Sequence, residues 1–131
     1  MKKHTTLNET FGTAITCIDG RVQEPLATWM CQHFSLDYVD MITEPGPDHV
    51  LRTMPDIAKE LKREAGISKS AHRSRIIAVA GHAGCAGNPA SADEHVREIR
   101  ECVRIVESWG LGIPVIGVFV NDAWTVEEVA A

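Results

Sequence analysis

No stretch of this chain approaches the ~20 consecutive apolar residues that a membrane span requires. Its amino terminus has two lysines, Lys2 and Lys3, but no apolar segment behind them that would make a secretion signal. Both absences point to a cytoplasmic protein without membrane attachment. A block of positive charge is missing as well. The 13 Lys and Arg against 18 Asp and Glu leave a formal charge of −5, so no arm could neutralise a run of phosphates and nucleic acid is not expected as a partner. Internal repeats, low-complexity tracts and interdomain linkers are lacking too. With 131 residues, 44% of them hydrophobic, the chain reads as one domain over 1–131, with 1–11 as a loose leading segment.

Two phosphate chemistries also fall away. Gly81, Gly84 and Gly87 lack the spacing of the dinucleotide fingerprint, and no Lys-Ser/Thr follows them as in a P-loop. Close packing in a loop is the simpler reason for these glycines. A thiol phosphatase built on Cys17 would need an arginine six residues later to wrap a phosphate, and Gln23 stands there.

Two short clusters remain to carry chemistry, Cys17-Ile18-Asp19-Gly20-Arg21 and His82-Ala83-Gly84-Cys85. Together they supply two thiolates and an imidazole, three zinc ligands rather than the four that close a structural site. Four cysteines could form two disulfides, but without a secretion signal free thiols or metal ligands are the expected state. Cys17 and Cys85 suit metal binding, and Cys31 and Cys102 read as ordinary buried thiols.

Pattern places both clusters at strand ends. Thr13–Thr16 is short and rich in β-branched residues, and it runs straight into the first cluster. From Pro25 to Phe34 the residues Leu26, Trp29, Met30 and Phe34 recur at helical spacing, with Pro25 suited to a first turn. Asp37–Ile42 alternates as a second strand, and Glu44-Pro45-Gly46-Pro47 ends it in a stiff loop. Asp48–Arg52 reads as a helical turn and Pro55–His72 as a longer helix. Arg75–Ala80 is nearly all apolar, as in a strand covered on both faces, and delivers the second cluster at its carboxyl end. Ser91 and Glu94 form a capping box for a helix that ends at Gly110, and Pro114–Val120 is a last buried strand. The tail, Trp124–Val129, could add an edge strand or a short helix.

The order predicts an α/β fold: a mostly parallel four-stranded sheet flanked by helices, with right-handed crossovers and room for a further edge strand at the C-terminus. Ligand sites in such sheets lie beyond the carboxyl ends of the strands. Both clusters fall there, so residues far apart in sequence can meet at one ion.

The paired patterns Cys17-x-Asp19-x-Arg21 and His82-x-x-Cys85 resemble those of the β-class carbonic anhydrases, and the likeness covers most of the chain, from about Thr13 to Val129. The resemblance implies a zinc enzyme, a carbonate dehydratase that hydrates CO2 reversibly to bicarbonate by metal-bound hydroxide. It implies Cys17, His82 and Cys85 as the Zn(2+) ligands and Asp19 with Arg21 as a catalytic dyad orienting the nucleophile. It also implies an off state in which Asp19 leaves Arg21 and becomes a fourth ligand. Larger relatives carry an amino-terminal helical arm that embraces a second subunit. Only 16 residues precede Cys17, so the chain reads as an arm-less member that forms a homodimer or higher oligomer.

Two places depart from the family pattern. Thr43-Glu44-Pro45-Gly46-Pro47 stands where relatives have an Arg-Asn-Ala-Gly-Asn-like stretch, and Gly20 replaces the usual serine, giving the backbone more room. The first change bears on substrate, since relatives of the fold hydrolyse carbon disulfide or carbonyl sulfide. A non-catalytic zinc-binding or regulatory protein, closed by Asp19 as a permanent fourth ligand, is a further alternative. His4, His33, His72 and His95 are expected to be solvated. His49, beside the 43–47 loop, is a candidate proton shuttle. Trp29, Trp109 and Trp124 are expected in the core or at subunit contacts.

Overall fold

The computed structural model describes residues 8–130. Five strands and four helices follow in the order β1 (Phe11–Thr16), α1 (Gly20–Phe34), β2 (Tyr38–Thr43), α2 (Pro47–Thr53), α3 (Pro55–His72), β3 (Ile77–His82), α4 (Ala92–Glu107), β4 (Val115–Val120) and β5 (Val126–Val129). They build a single sheet of order β2-β1-β3-β4-β5. The first four strands pair in parallel, and β5 runs antiparallel along β4 as the edge strand left open by the sequence. Among the described residues no helix is long and apolar enough to cross a membrane.

Side-chain size sorts the two faces. Ala14, Ala78, Ala80, Val118 and Val120 point to one side, where Val22, Leu26 and Met30 of α1 pack on them. These small residues let the helix sit close. Ile15, Ile77 and Val79 point to the other side, against Val50 and Leu51 of α2, Leu61 and Ala65 of α3, and Cys102 and Val106 of α4. Because β1 and β3 are covered on both faces, every residue in them is buried and neither shows alternation.

The chain departs from β1 toward β2 on one side and returns to β3 on the other, so the loops after β1 and β3 diverge at a switch point. Ile15 pairs with Val79, which brings the ends of these strands, and the two clusters, to the same edge. The neighbouring loops touch there through backbone. A Cβ on Gly46 would come within 2.5 Å of the Gly87 carbonyl carbon, and one on Gly87 within 2.6 Å of the Pro45 carbonyl carbon. Close packing thus accounts for Gly87 as the sequence suggested. It accounts for Gly81 too, whose Cβ would meet Asp48 Oδ2 at 2.6 Å. Gly84 has a different reason, its φ of +67°.

Several sequence expectations are corrected. Helix α1 starts at Gly20 and not at Pro25, because the Asp19 carboxylate accepts a hydrogen bond from the Arg21 N–H and caps the helix earlier. Pro25 therefore lies inside the helix. Strand β3 continues past the apolar run to include His82. Phe11 is already in β1, and Thr10 donates its N–H to Asp37 Oδ2 at 2.9 Å, so residues 10 and 11 are not part of a loose segment. Residues 1–7, His4 among them, lie outside the described residues. A Cβ on Gly20 would meet nothing within 4 Å, so no steric constraint requires glycine there. The thiol of Cys31 is half-buried, whereas Cys102 is fully buried and burial pushes its pKa up to about 12.

His95 is the largest correction among the histidines. Fully buried on α4, it holds Asp48 of α2 through Nδ1 and Oδ2 at 2.5 Å. Burial opposes its charge, but the bond to Asp48 and that carboxylate's field outweigh it and raise the imidazole's pKa. Beside this pair Arg52 Nη2 meets Glu98 Oε2 at 2.8 Å. His72 pairs with Asp40 at 2.7 Å and stacks on Phe11, while His33 remains exposed.

Removing one partner of the buried pair is therefore expensive. Asp48→Ala is expected to destabilise the fold by about 3–5 kcal/mol, read from the midpoint of urea unfolding. The double change Asp48→Leu with His95→Leu should recover a good part of that loss.

Candidate metal centre

The first cluster leaves β1 as a short loop pinned from α1. Gln23 donates its side-chain N–H groups to the Cys17 carbonyl at 2.7 Å and to the Asp19 carbonyl at 3.1 Å. The second begins on β3 with His82 itself and turns back at Gly84. Cys85 Sγ lies 3.9 Å from Cys17 Sγ, and ligand atoms of Cys17, His82 and Cys85 all fall within 4.8 Å of one another. All three residues are buried.

The donor set fits zinc on two counts. Two thiolates at the usual Zn–S length of ~2.3 Å and a tetrahedral angle lie ~3.8 Å apart, close to the separation here. His82 Nδ1 lies 2.8 Å from the Ala83 carbonyl oxygen. A carbonyl only accepts, so Nδ1 carries the proton and Nε2 presents a lone pair. That Nε2 is buried and has no hydrogen-bond partner among the described residues. A buried acceptor facing two thiols with nothing to bind is costly without a cation. Burial first, and the neighbouring Cys17 second, push the Cys85 thiol up to about 11.

Asp19 and Arg21 form the charge pair the sequence suggested. Arg21 Nε donates to Oδ1 at 3.0 Å and Nη2 to Oδ2 at 2.7 Å, a two-pronged fork, while the backbone N–H of Arg21 adds 3.0 Å to Oδ1. The side-chain bonds from Arg21, then its backbone N–H, hold the Asp19 carboxyl well below the usual carboxylate range. The guanidinium carbon lies 4.8 Å from the ring centre of Trp124. That contact, the Gln23 anchor and the Asp48–His95 pair were all missed by the sequence reading. Gln23 could have been found: it is six residues past Cys17, on the first turns of the helix that the loop enters.

A second group of ligand-type residues, Asp48, His95 and Glu98, also brings its atoms within 4.8 Å. Its charges are already matched, since Asp48 holds His95 and Glu98 binds Arg52 and accepts from Asn88 Nδ2 at 2.8 Å. A cation there would compete with a guanidinium. Of the loop expected to wall the pocket, Glu44 donates its N–H to the Thr16 carbonyl at 3.1 Å, which places it at the same sheet edge as Cys17. His49 lies in the first turn of α2, half-buried. Trp29, Trp109 and Trp124 are half-buried and pack on the core's margins.

Fold and centre together define a doubly wound α/β protein with a buried Cys-His-Cys metal-type centre at the switch point of its sheet. A family model described as "Putative carbonic anhydrase" matches residues 7–130, and the chain belongs to this family, the β-carbonic anhydrases. No curated protein sequence matches the chain. Among solved structures, the carbonic anhydrase of Streptococcus mutans is 19% identical with a TM-score of 0.66, covering 99% of this chain and 88% of that one. The β-carbonic anhydrase isoform I of Trichomonas vaginalis is 18% identical, with a TM-score of 0.63 and coverage of 97% and 87%. The carbonic anhydrase of Glaciozyma antarctica is 16% identical, with a TM-score of 0.59 and coverage of 90% and 81%.

The raised thiol gives the metal-free protein a pH signature. With Cys85 ionising near 9.0 unfolded and about 11 folded, the unfolded state releases its proton first. Stability is expected to be full below pH 9 and to fall as pH rises from about 9 to about 11, read by urea unfolding of chelator-treated protein. Cys85→Ser should reduce that alkaline slope, leaving the share contributed by the buried Cys102 thiol.

Proposed function

We propose that this chain is a zinc-dependent carbonic anhydrase that interconverts CO2 and bicarbonate, with Cys17, His82 and Cys85 as metal ligands and Asp19 with Arg21 as the dyad. The observation that carries the reading is the fork between Asp19 and Arg21. It engages both carboxylate oxygens away from the three-ligand centre, which leaves a fourth position for water. Zinc, when bound, would bring the pKa of a coordinated water from ~15.7 toward ~7 and so make hydroxide available at neutral pH.

The chain's own residues supply the rest. Ionised Asp19 can only accept a hydrogen bond, so it would accept one from the O–H of the attacking oxygen and fix where that oxygen's remaining lone pair points. Arg21 keeps Asp19 ionised and offsets part of the negative charge of two thiolates. The Ala83 carbonyl fixes the His82 tautomer and holds its ring in place. Swinging Asp19 onto the metal would cost α1 its cap as well as the fork, which favours the open arrangement.

Four free cysteines agree with a reducing, cytoplasmic setting in which thiol ligands persist. A homodimer or higher oligomer is part of the same reading and rests on the family membership. The Glu44-Pro45-Gly46-Pro47 loop at the same edge supports a second reading, a hydrolase of carbonyl sulfide or carbon disulfide, because it alters the polarity and shape of the rim.

Metal analysis joined to stopped-flow CO2 hydration tests the proposal. One zinc per chain and measurable hydration are expected, and Asp19→Ala should lower the rate roughly 10–100-fold with zinc retained. Stoichiometric zinc with no hydration at any pH, but turnover of carbonyl sulfide, would transfer the site to the second reading. Zinc with neither activity would leave a binding protein.

A further inference from the structure

We infer that Trp124 is a positioning residue: its indole holds Arg21 in the fork on Asp19 and thereby keeps Asp19 turned away from the three-ligand centre. The inference rests on the dyad role proposed above. Its starting point is that the fork is exposed. The Arg21 side chain is 64% accessible and that of Asp19 20%. Ion pairs so open to water are weak and easily exchanged, so the pair alone is a poor lock.

Trp124 supplies what the pair lacks. The guanidinium carbon stands 4.8 Å from the ring centre, within the range of cation–π attraction, for which indole is the best partner. A guanidinium is planar and donates along its edge, so its edge can serve Asp19 while its face rests on the indole. The ring is itself fixed, since Trp124 packs against the core cluster formed by α1 and the sheet.

The backbone beneath the ring provides an independent observation. Trp124 has φ +60°, in the left-handed region where a bulky residue is an outlier. It closes the β4–β5 turn: its N–H donates to the Asn121 carbonyl at 2.9 Å, and Asn121 N–H donates to the Thr125 carbonyl at 3.0 Å. Asn121 Oδ1 accepts from the N–H groups of Ala123 and Thr125, each at 3.0 Å. A type I turn followed by a left-handed residue is a standard hairpin connection, and glycine is the residue that fits its last position. A tryptophan held there against that preference is explained by what its side chain does: one part packs on the core margin and its face meets Arg21. The edge strand β5 therefore serves the centre by aiming this turn at the start of α1.

The backbone preference supplies the test. Trp124→Gly relaxes the turn and removes the ring, while Trp124→Phe keeps a smaller aromatic face and guards against loss of folding. In metal-free protein, NMR of the Arg21 Nε–H should show a ring-current shift and slow exchange with water. Trp124→Gly is expected to abolish the shift and quicken that exchange roughly 2–5-fold, with Trp124→Phe in between and backbone amide protection unchanged. In zinc-loaded protein the same order should appear in kcat for CO2 hydration at constant zinc content. Unaltered Arg21 exchange in Trp124→Gly overturns the inference. So does quickening that accompanies a general loss of amide protection, which would make the residue merely structural. Absence of hydration in the unaltered protein would defeat the proposed reaction but leave the Arg21 measurement standing.

Discussion

Parallel pairing of β1 with β3 at the middle of the sheet is the constraint on which the centre depends. Neighbouring strands lie about 4.8 Å apart, so two parallel strands ending at one edge bring the residues that follow them within ligating distance. Cys17 leaves β1 and His82 ends β3 at that edge. An antiparallel arrangement of the same two strands would have sent the clusters to opposite ends of the sheet. Side-chain size suits each face to its helices, with the alanines of β1 and β3 toward α1 and Ile15, Ile77 and Val79 toward α2, α3 and α4.

What this edge gathers is electrostatically awkward. Two buried thiols and an imidazole lone pair share a space, and Cys85 responds by holding its proton more tightly. The fold pre-assembles the donors within 4.8 Å of one another. The charge pair beside them is organised differently, because Asp19 does two jobs with one carboxylate. It caps α1 through the Arg21 backbone and anchors the Arg21 guanidinium, so helix start and charge-pair geometry are one feature. Loops packed backbone to backbone at Gly46 and Gly87 brace the rim, and the buried Asp48–His95 pair braces α2 against α4 behind it.

Much of this was legible in the residues. The apolar, β-branched runs at Thr13–Thr16 and Pro114–Val120 and the capping box at Ser91 and Glu94 correspond to elements that form largely where local chemistry places them. The two clusters stood out together, because they place two cysteines and a histidine beyond the carboxyl ends of two expected strands. Pro25 misled, since proline favours a first helical turn while the cap at Asp19 was the stronger local signal. His95 misled for another reason. Its solvated reading came from its place in a first helical turn, and only packing of α4 on α2 supplies the carboxylate that makes its burial tolerable. The contact of Trp124 with Arg21 joins residues at the two ends of the described chain, and no local pattern encodes it.

The sequence by itself determined the element order, the family resemblance and the kinds of ligand available, because periodicity, capping and motif spacing are properties of short segments. Only the tertiary structure decided that three donors converge. It alone decided that a tryptophan from the far hairpin lies against that arginine. Each of these is a distance between residues remote in sequence, set by strand register and helix packing, which no short segment contains.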